Sequence, residues 1–350
     1  MALLGTLAPG ARMPAHGGSS TAVTSDYRTT ITRIAPAEQG LSATIVDVGG
    51  SVQLTWTGPG VLIVKGYQGE PYLRFDPQGI ERNTRSPATY LNQNRYANVI
   101  LPATADAQAT PEWQRISSGH TTQWHDHRTH WMAPVLPAQV QADPGRPHLL
   151  EQWQIPLTVD GRPVTIDGRL SWIPPPSLLP WLGLGAGVAV LLGALLFTKW
   201  WRPAAIAAAA AGTAVYAVDG LGYLARAHRG MLPWVWAIGW PLVGVVAAVA
   251  LAVQSGRASS RRLGRFPVSM AVAGLLVAVI GGIDRYDGLS NSQIFSAFPD
   301  WVARLATAVS FGIGAALVLR YLADLVPVVV TGRATPHDSH PGGQPGPTTS

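Results

Sequence analysis

The chain of 350 residues contains no cysteine. That absence excludes a disulfide framework, an iron–sulfur cluster, a thiolate zinc site and a cysteine nucleophile. Any metal here must be held by histidine, methionine, carboxylate or backbone oxygen. Charge is also scarce, at 13% of residues, and lysine is confined to Lys65 and Lys199. The formal net charge of +6 raises the question of nucleic acid. No basic patch with interleaved aromatics accompanies it, however, and the densest arginine cluster falls between two apolar runs, so no nucleic-acid partner is expected. Nucleophile elbow, phosphate loop and HExxH helix are all missing. Gly183-Leu184-Gly185-Ala186-Gly187 fails the dinucleotide pattern and reads as helix packing within a span. Nothing in the sequence argues for an enzyme, and none is expected.

What is present is divided unevenly. Apolar residues, 47% of the chain, form uninterrupted runs after Leu178, whereas the first half alternates polar and apolar residues in short stretches. This predicts a soluble module joined to a membrane module. The expected organisation is residues 1–23 as a signal-peptide remnant or disordered segment, 24–173 as an extracytoplasmic β-sandwich, 174–177 as a proline-rich linker, 178–328 as a five-helix transmembrane domain, and 329–350 as a disordered cytoplasmic tail.

Crossing a bilayer takes about 20 helical residues with every backbone group bonded internally. Five runs meet that need: Leu178 to Thr198, Pro203 to about Leu224, Met231 to about Val253, Phe266 to Ile283, and a last one bounded by Arg304 and Arg320 that extends to about Val326 if both arginines snorkel. Positive loops set the orientation. Lys199 and Arg202 fall on the same side as Arg257, Arg261, Arg262 and Arg265, which makes that side the cytoplasm. The opposite loops hold Arg226, His228 and Arg229, and Asp284, Arg285, Asp287 and Asp300. These patterns predict a multi-pass protein of the plasma membrane, with its amino-terminal domain outside, its C-terminus in the cytoplasm, and membrane lipid as a partner. Export needs an apolar signal, yet Pro9 and Arg12 arrive too soon after Met1. Either the true start lies upstream, which is the favoured reading, or the first span acts as a reverse anchor.

In the first half, the alternations Thr29-Ile31-Arg33, Ala43-Ile45-Asp47, Val52-Leu54-Trp56 and Val61-Ile63-Lys65 predict strands. Turn residues separate them at Gly49-Gly50, Gly58-Pro59-Gly60 and Asp76-Pro77-Gln78-Gly79. Asp160-Gly161-Arg162-Pro163 joins Trp153–Val159 to Val164–Trp172 as a hairpin. The fold class expected is an all-β, immunoglobulin-like sandwich followed by an all-α bundle of five transmembrane helices. The stretch from Arg82 to Arg95 has no strand period and predicts a long ordered loop, a common place for function.

One segment concentrates chemistry. His120, His125, His127 and His130, four of the nine histidines, fall within eleven residues beside Asp126, Arg128, Trp124, Trp131 and Met132. On a strand His125 and His127 share a face; on a helical turn His127 and His130 approach. Either geometry permits two imidazoles on one metal, with a third ligand from His120, His148 or Met132. Imidazole with thioether and no thiolate suits copper outside the cytoplasm, and zinc also accepts imidazole. The competing reading is a buried polar network in which Asp126 pairs with Arg128, the imidazoles bond backbone oxygens and the tryptophans fill space. A second constellation lies near the membrane: Asp219 with Tyr216 and Tyr223, and Asp284 with Arg285. These either line an ion path or sit at the interface in contact with water and each other, as do Arg320 and Asp324. His337 and His340 belong to the solvated tail.

Gly66-Tyr67-Gln68-Gly69-Glu70-Pro71-Tyr72, Ser86-Pro87-Ala88-Thr89-Tyr90-Leu91-Asn92 and the WHDHR-x-HWM motif from Trp124 to Met132 resemble signature stretches of a family of actinobacterial membrane proteins that has no assigned activity. The resemblance covers most of residues 40–175 and implies an exported β-domain ahead of a helical membrane region, associated with extracytoplasmic copper-handling proteins. Two functions are therefore carried forward. One is copper binding or delivery with envelope or copper-handling partners. The other is a non-enzymatic structural or assembly role in which the His/Trp segment is a packing and partner interface. A transporter is disfavoured because the spans show no internal repeat and few buried charges.

Overall fold

A computed structural model describes residues 24–226, 231–257, 265–283 and 285–331. The expected signal remnant, most of the arginine-rich loop, Asp284 and the tail with His337 and His340 lie outside those residues. The chain forms two compact units. One ends at Ser177 and also takes Ser290–Phe295; the other comprises Leu178–Leu289 and the residues from Ser296 onward. The expected organisation has 290–295 in the outer loop ahead of the last span, inside the 178–328 stretch; the structure groups these six residues with the β-rich unit.

The first unit contains β1 (Thr24–Ser25), β2 (Tyr27–Ala35), β3 (Leu41–Val46), β4 (Ser51–Trp56), β5 (Leu62–Lys65), β6 (Pro71–Asp76), β7 (Gly79–Asn83), β8 (Trp113–Ser117), β9 (Thr121–His125), β10 (His148–Val159), β11 (Arg162–Trp172) and β12 (Gln293–Ile294). Two short helices, α1 (Ala88–Leu91) and α2 (Ala138–Ala142), lie between strands. Seven strands pair in the order β2-β11-β10-β5-β6-β7-β8, three in the order β3-β4-β9, and β1 pairs with β12. All pairings are antiparallel. The division into seven and three is not the four and three of a constant-type immunoglobulin domain.

Alternation explains the core. Val52, Leu54 and Trp56 of β4 turn inward with Leu62 and Val64 of β5, and meet Trp153, Ile155, Leu157, Val164 and Ile166 from β10 and β11 in one cluster. Full burial of each such side chain contributes about 1.5–3 kcal/mol. On β5 the buried set is Leu62 and Val64, one residue out of step with the Val61-Ile63-Lys65 series noted in the sequence. The β10–β11 hairpin closes on Asp160-Gly161, whose φ values of 49° and 80° give the mirror-image turn that matches strand twist. Gly168 has a different reason: a Cβ there would stand 2.1 Å from the Trp153 ring, so only glycine admits the indole. The Trp153 indole N–H is satisfied by Thr29 Oγ1 at 2.8 Å. The expected long loop is shorter than forecast, because β7 takes Arg82 and Asn83 and α1 gives 88–91 a helical turn.

The second unit contains α3 (Leu179–Leu196), α4 (Trp201–Arg226), α5 (Met231–Arg257), α6 (Arg265–Leu276) continuing as a π-helix over Val277–Ile283, α7 (Tyr286–Ser290, whose last residue falls in the first unit) and α8 (Asp300–Thr331). Helices thus stand at all five forecast spans. Three stretches, Leu179–Leu196, Trp201–Arg226 and Asp300–Ala323, are long and apolar enough to cross a membrane. The other two helices give shorter apolar stretches among the described residues, Pro241–Gln254 and Pro267–Ile283. Helices α3 and α8 touch through small residues: a Cβ on Gly312 would lie 2.5 Å from the Gly185 carbonyl oxygen. Of the three glycines between 183 and 187, Gly185 makes this contact, and Gly183 and Gly187 face open space.

Candidate metal centre

Strand β9 ends at His125, opposite Ser51 of β4, and the chain then reverses in a tight turn. The Thr129 backbone N–H and hydroxyl both donate to the Asp126 carbonyl, at 3.1 and 2.9 Å. Inside that turn Asp126 is completely buried. Its carboxylate accepts from the Trp124 indole at 2.8 Å, from Arg128 Nε and Nη2 at 2.8 Å each, and from the Arg128 backbone N–H at 3.1 Å. Burial opposes ionisation most strongly of any single cause, but the Arg128 contact and charge, the Trp124 indole and the Arg128 backbone N–H together outweigh it and hold the Asp126 carboxyl below the usual carboxylate range. The guanidinium lies over the Tyr67 ring, 5.0 Å from its centroid. Asp126 therefore serves the turn and is not directed at a ligand.

Reversing the chain brings three imidazoles together. His125, His127 and His130 each present a ring nitrogen such that the three atoms lie within 4.8 Å of one another. The ring centroids of His125 and His130 are 4.5 Å apart, those of His125 and His127 5.3 Å, and those of His127 and His130 5.8 Å. The shortest contact is His125 Nε2 to His130 Nε2, at 2.7 Å. Spacing alone offers a strand face or a helical turn; the structure combines the end of a strand with a tight turn, and so assembles three histidines where either pattern alone assembles two.

Backbone oxygens hold each ring from behind. His127 Nε2 is 2.8 Å from the Asn94 carbonyl, and His130 Nδ1 is 3.2 Å from that of Trp131. A carbonyl only accepts, so these nitrogens carry the hydrogens, and the lone pairs of His127 and His130 lie on the opposite atoms, Nδ1 and Nε2. His125 has a choice: the Gly50 carbonyl bonds one side of its ring, and the Arg95 carbonyl stands 3.4 Å from Nε2. Without a cation, the 2.7 Å contact with His130 requires the proton on His125 Nε2. With that proton on Nδ1 toward Gly50, two lone pairs face each other and a bound cation relieves the contact. Ligands at 2.0–2.1 Å around a tetrahedral ion sit about 3.3 Å apart, so binding asks the two rings to separate by about 0.6 Å.

Electrostatics already disfavour a proton here. Burial first, then the charge of Arg95 and the neighbouring His125, push His130 down to about 3. Burial and His127 likewise lower His125. Tyr67 stacks on the His127 ring at 5.5 Å, accepts the His127 backbone N–H at 3.0 Å and donates to the Asn92 side chain. Burial, with the Asp126 charge, raises its phenol far above the ordinary range. Sequence reasoning does not single out Gly50, Tyr67, Asn94 or Arg95 as parts of the site. The available signals are the glycine pair at 49–50 and the aperiodic loop ending at Arg95.

The remaining candidates fall elsewhere. His120 is exposed at the β8–β9 turn, where its carbonyl accepts the Trp56 N–H at 2.9 Å, and it does not join the three. His148 is 2.6 Å from the Asp143 carbonyl. Met132 is half-buried just beyond His130. In the helical unit Asp219 is buried and pairs with Arg285 at 3.2 Å, and the Arg285 guanidinium lies 5.8 and 5.6 Å from the Tyr216 and Tyr223 rings. Arg320 donates to the Leu196 carbonyl at 3.0 Å, capping α3, while the Asp324 side chain is outside the described residues. No protein-family model, curated protein or solved structure matches the chain.

Proposed function

We propose that the chain is a multi-pass membrane protein whose exported β-sandwich binds copper through His125, His127 and His130. The observation that carries this reading is the convergence of three imidazole nitrogens within 4.8 Å, with backbone carbonyls behind the rings. Such outer contacts fix ring orientation and raise ligand basicity in metal sites. Copper is favoured by the absence of cysteine and by the thioether of Met132 adjacent in sequence. Three helices of spanning length support a multi-pass protein, and α5 and α6, at the two remaining apolar runs, are taken as two further crossings. The arginine asymmetry of the loops argues for the β-unit outside and the C-terminus in the cytoplasm.

A second reading is favoured by one specific observation, the fully buried and fully bonded Asp126 carboxylate on Arg128. On that reading the segment is a packing and partner interface of an envelope assembly factor, and the histidines complete a polar network. Metal analysis and thermal unfolding of the purified full-length chain in detergent separate the two. Copper binding predicts one equivalent of metal and a raised Tm, since 100-fold excess over Kd adds about 2.7 kcal/mol. Replacement of all three histidines by alanine removes both effects. A wild-type chain whose Tm does not respond to saturating copper or zinc would leave the interface reading.

A further inference from the structure

We infer that the three-histidine site selects monovalent copper over divalent ions, and that the guanidinium of Arg95 sets this selection. The inference rests on the metal-binding reading above and concerns the charge of the cation. The ligand set His125, His127 and His130 carries no negative charge in its ligating form. The one carboxylate in the segment, Asp126, is fully buried and spent on Arg128 and Trp124. The Asn94 and Trp131 carbonyls face N–H groups and are not directed at a cation, and the Arg95 carbonyl, 3.4 Å from His125 Nε2, carries no net charge. Among the described residues of this segment, then, no carboxylate is left to compensate a second positive charge.

Arg95 makes the balance more positive. Its Nη1 and the Nδ1 of His125 lie 3.4 and 3.8 Å from one point, the position where Gly50 would carry a Cβ. The guanidinium thus lies no farther from His125 Nδ1 than those two distances together, on the loop that also supplies the Asn94 and Arg95 carbonyls. Its charge reaches both His125 and His130. A divalent ion suffers the repulsion of that fixed charge twice over relative to a monovalent one. At an effective dielectric near 20 and a separation on the order of 10 Å, the extra unit of repulsion amounts to roughly a tenfold loss of affinity. Three neutral nitrogens with a thioether nearby in sequence also suit the softer, lower-charged ion.

The test uses the full-length chain in detergent. Its affinity for copper(I) is measured without oxygen against a chromophoric chelator, and its affinities for copper(II) and zinc(II) against their own competitors. The proteins compared are wild type, Arg95→Gln and Arg95→Lys. Arg95→Gln is expected to tighten the divalent ions by about tenfold more than copper(I), and so to lower the midpoint potential of bound copper by about 59 mV. Arg95→Lys, which keeps the charge, is expected to retain the wild-type preference. Equal changes for both charge types in Arg95→Gln would overturn the inference. So would Arg95→Lys behaving like Arg95→Gln, since that outcome assigns the effect to loop geometry. If wild type binds zinc(II) as tightly as copper(I), the selection fails while the metal site stands; if it binds neither ion, the metal reading itself fails.

Discussion

At His130 a single ring links stability to pH. Burial, Arg95 and His125 push it down to about 3, against an unfolded-chain value near 6.5. Between those values the unfolded chain holds a proton that the folded chain does not, so stability is complete above pH 6.5 and declines as pH falls toward 3. In metal-free protein kept under chelator, the slope from this residue should approach about 1.4 kcal/mol per pH unit in that window. His125, lowered in the same direction, adds to it. Denaturant titrations at about pH 7 and pH 5 check this: His130→Gln should flatten the dependence, and an unchanged slope would mean the ring is not held neutral. The need for a proton-poor pocket is not legible in the spacing of the histidines, because it comes from burial and from an arginine far back along the chain.

Among elements, the β10–β11 hairpin is the most legible. Its Asp-Gly turn and its alternating apolar residues announce both register and inward face, and the structure pairs Val159 with Arg162 across that turn. The hairpin also carries a position no sequence rule would single out. Gly168→Ala places a methyl 2.1 Å from the Trp153 ring, which must move out of the core or push the strands apart. A loss of about 1–3 kcal/mol is expected, read as a lower denaturant midpoint for the β-rich unit. Gly161→Ala adds a Cβ at φ 80° with open space around it, so its cost should come from backbone strain alone. The two strands β8 and β9 are harder to see. Their alternation is weak, since β8 is mostly solvent-facing and β9 buries a single tryptophan, Trp124.

For the whole molecule, reporter fusions test the proposed orientation. Residues 24–173 and sites near 226 and 290 should report outside, and the 257–265 loop and the C-terminus inside. A reporter at Ser259 active only outside the cytoplasm would reverse the assignment. The sequence by itself determined the division into a strand-rich half and an apolar helical half, because periods of two residues and apolar runs of spanning length are local patterns. It also determined that any metal here is held without thiolate. Only the tertiary structure decided which histidines meet. His125, His127 and His130 converge because Arg128 pins the Asp126 turn, and their rings are backed by carbonyls from positions 50, 94 and 131. It alone decided, too, that Ser290–Phe295 joins the β-rich unit, where the Asp26 carboxylate accepts the Ser292 N–H at 2.7 Å. Contacts such as those of His127 with Asn94 and of Asp26 with Ser292 join residues far apart in the chain, leave no periodic trace in composition or spacing, and become visible only when folding has brought the partners together.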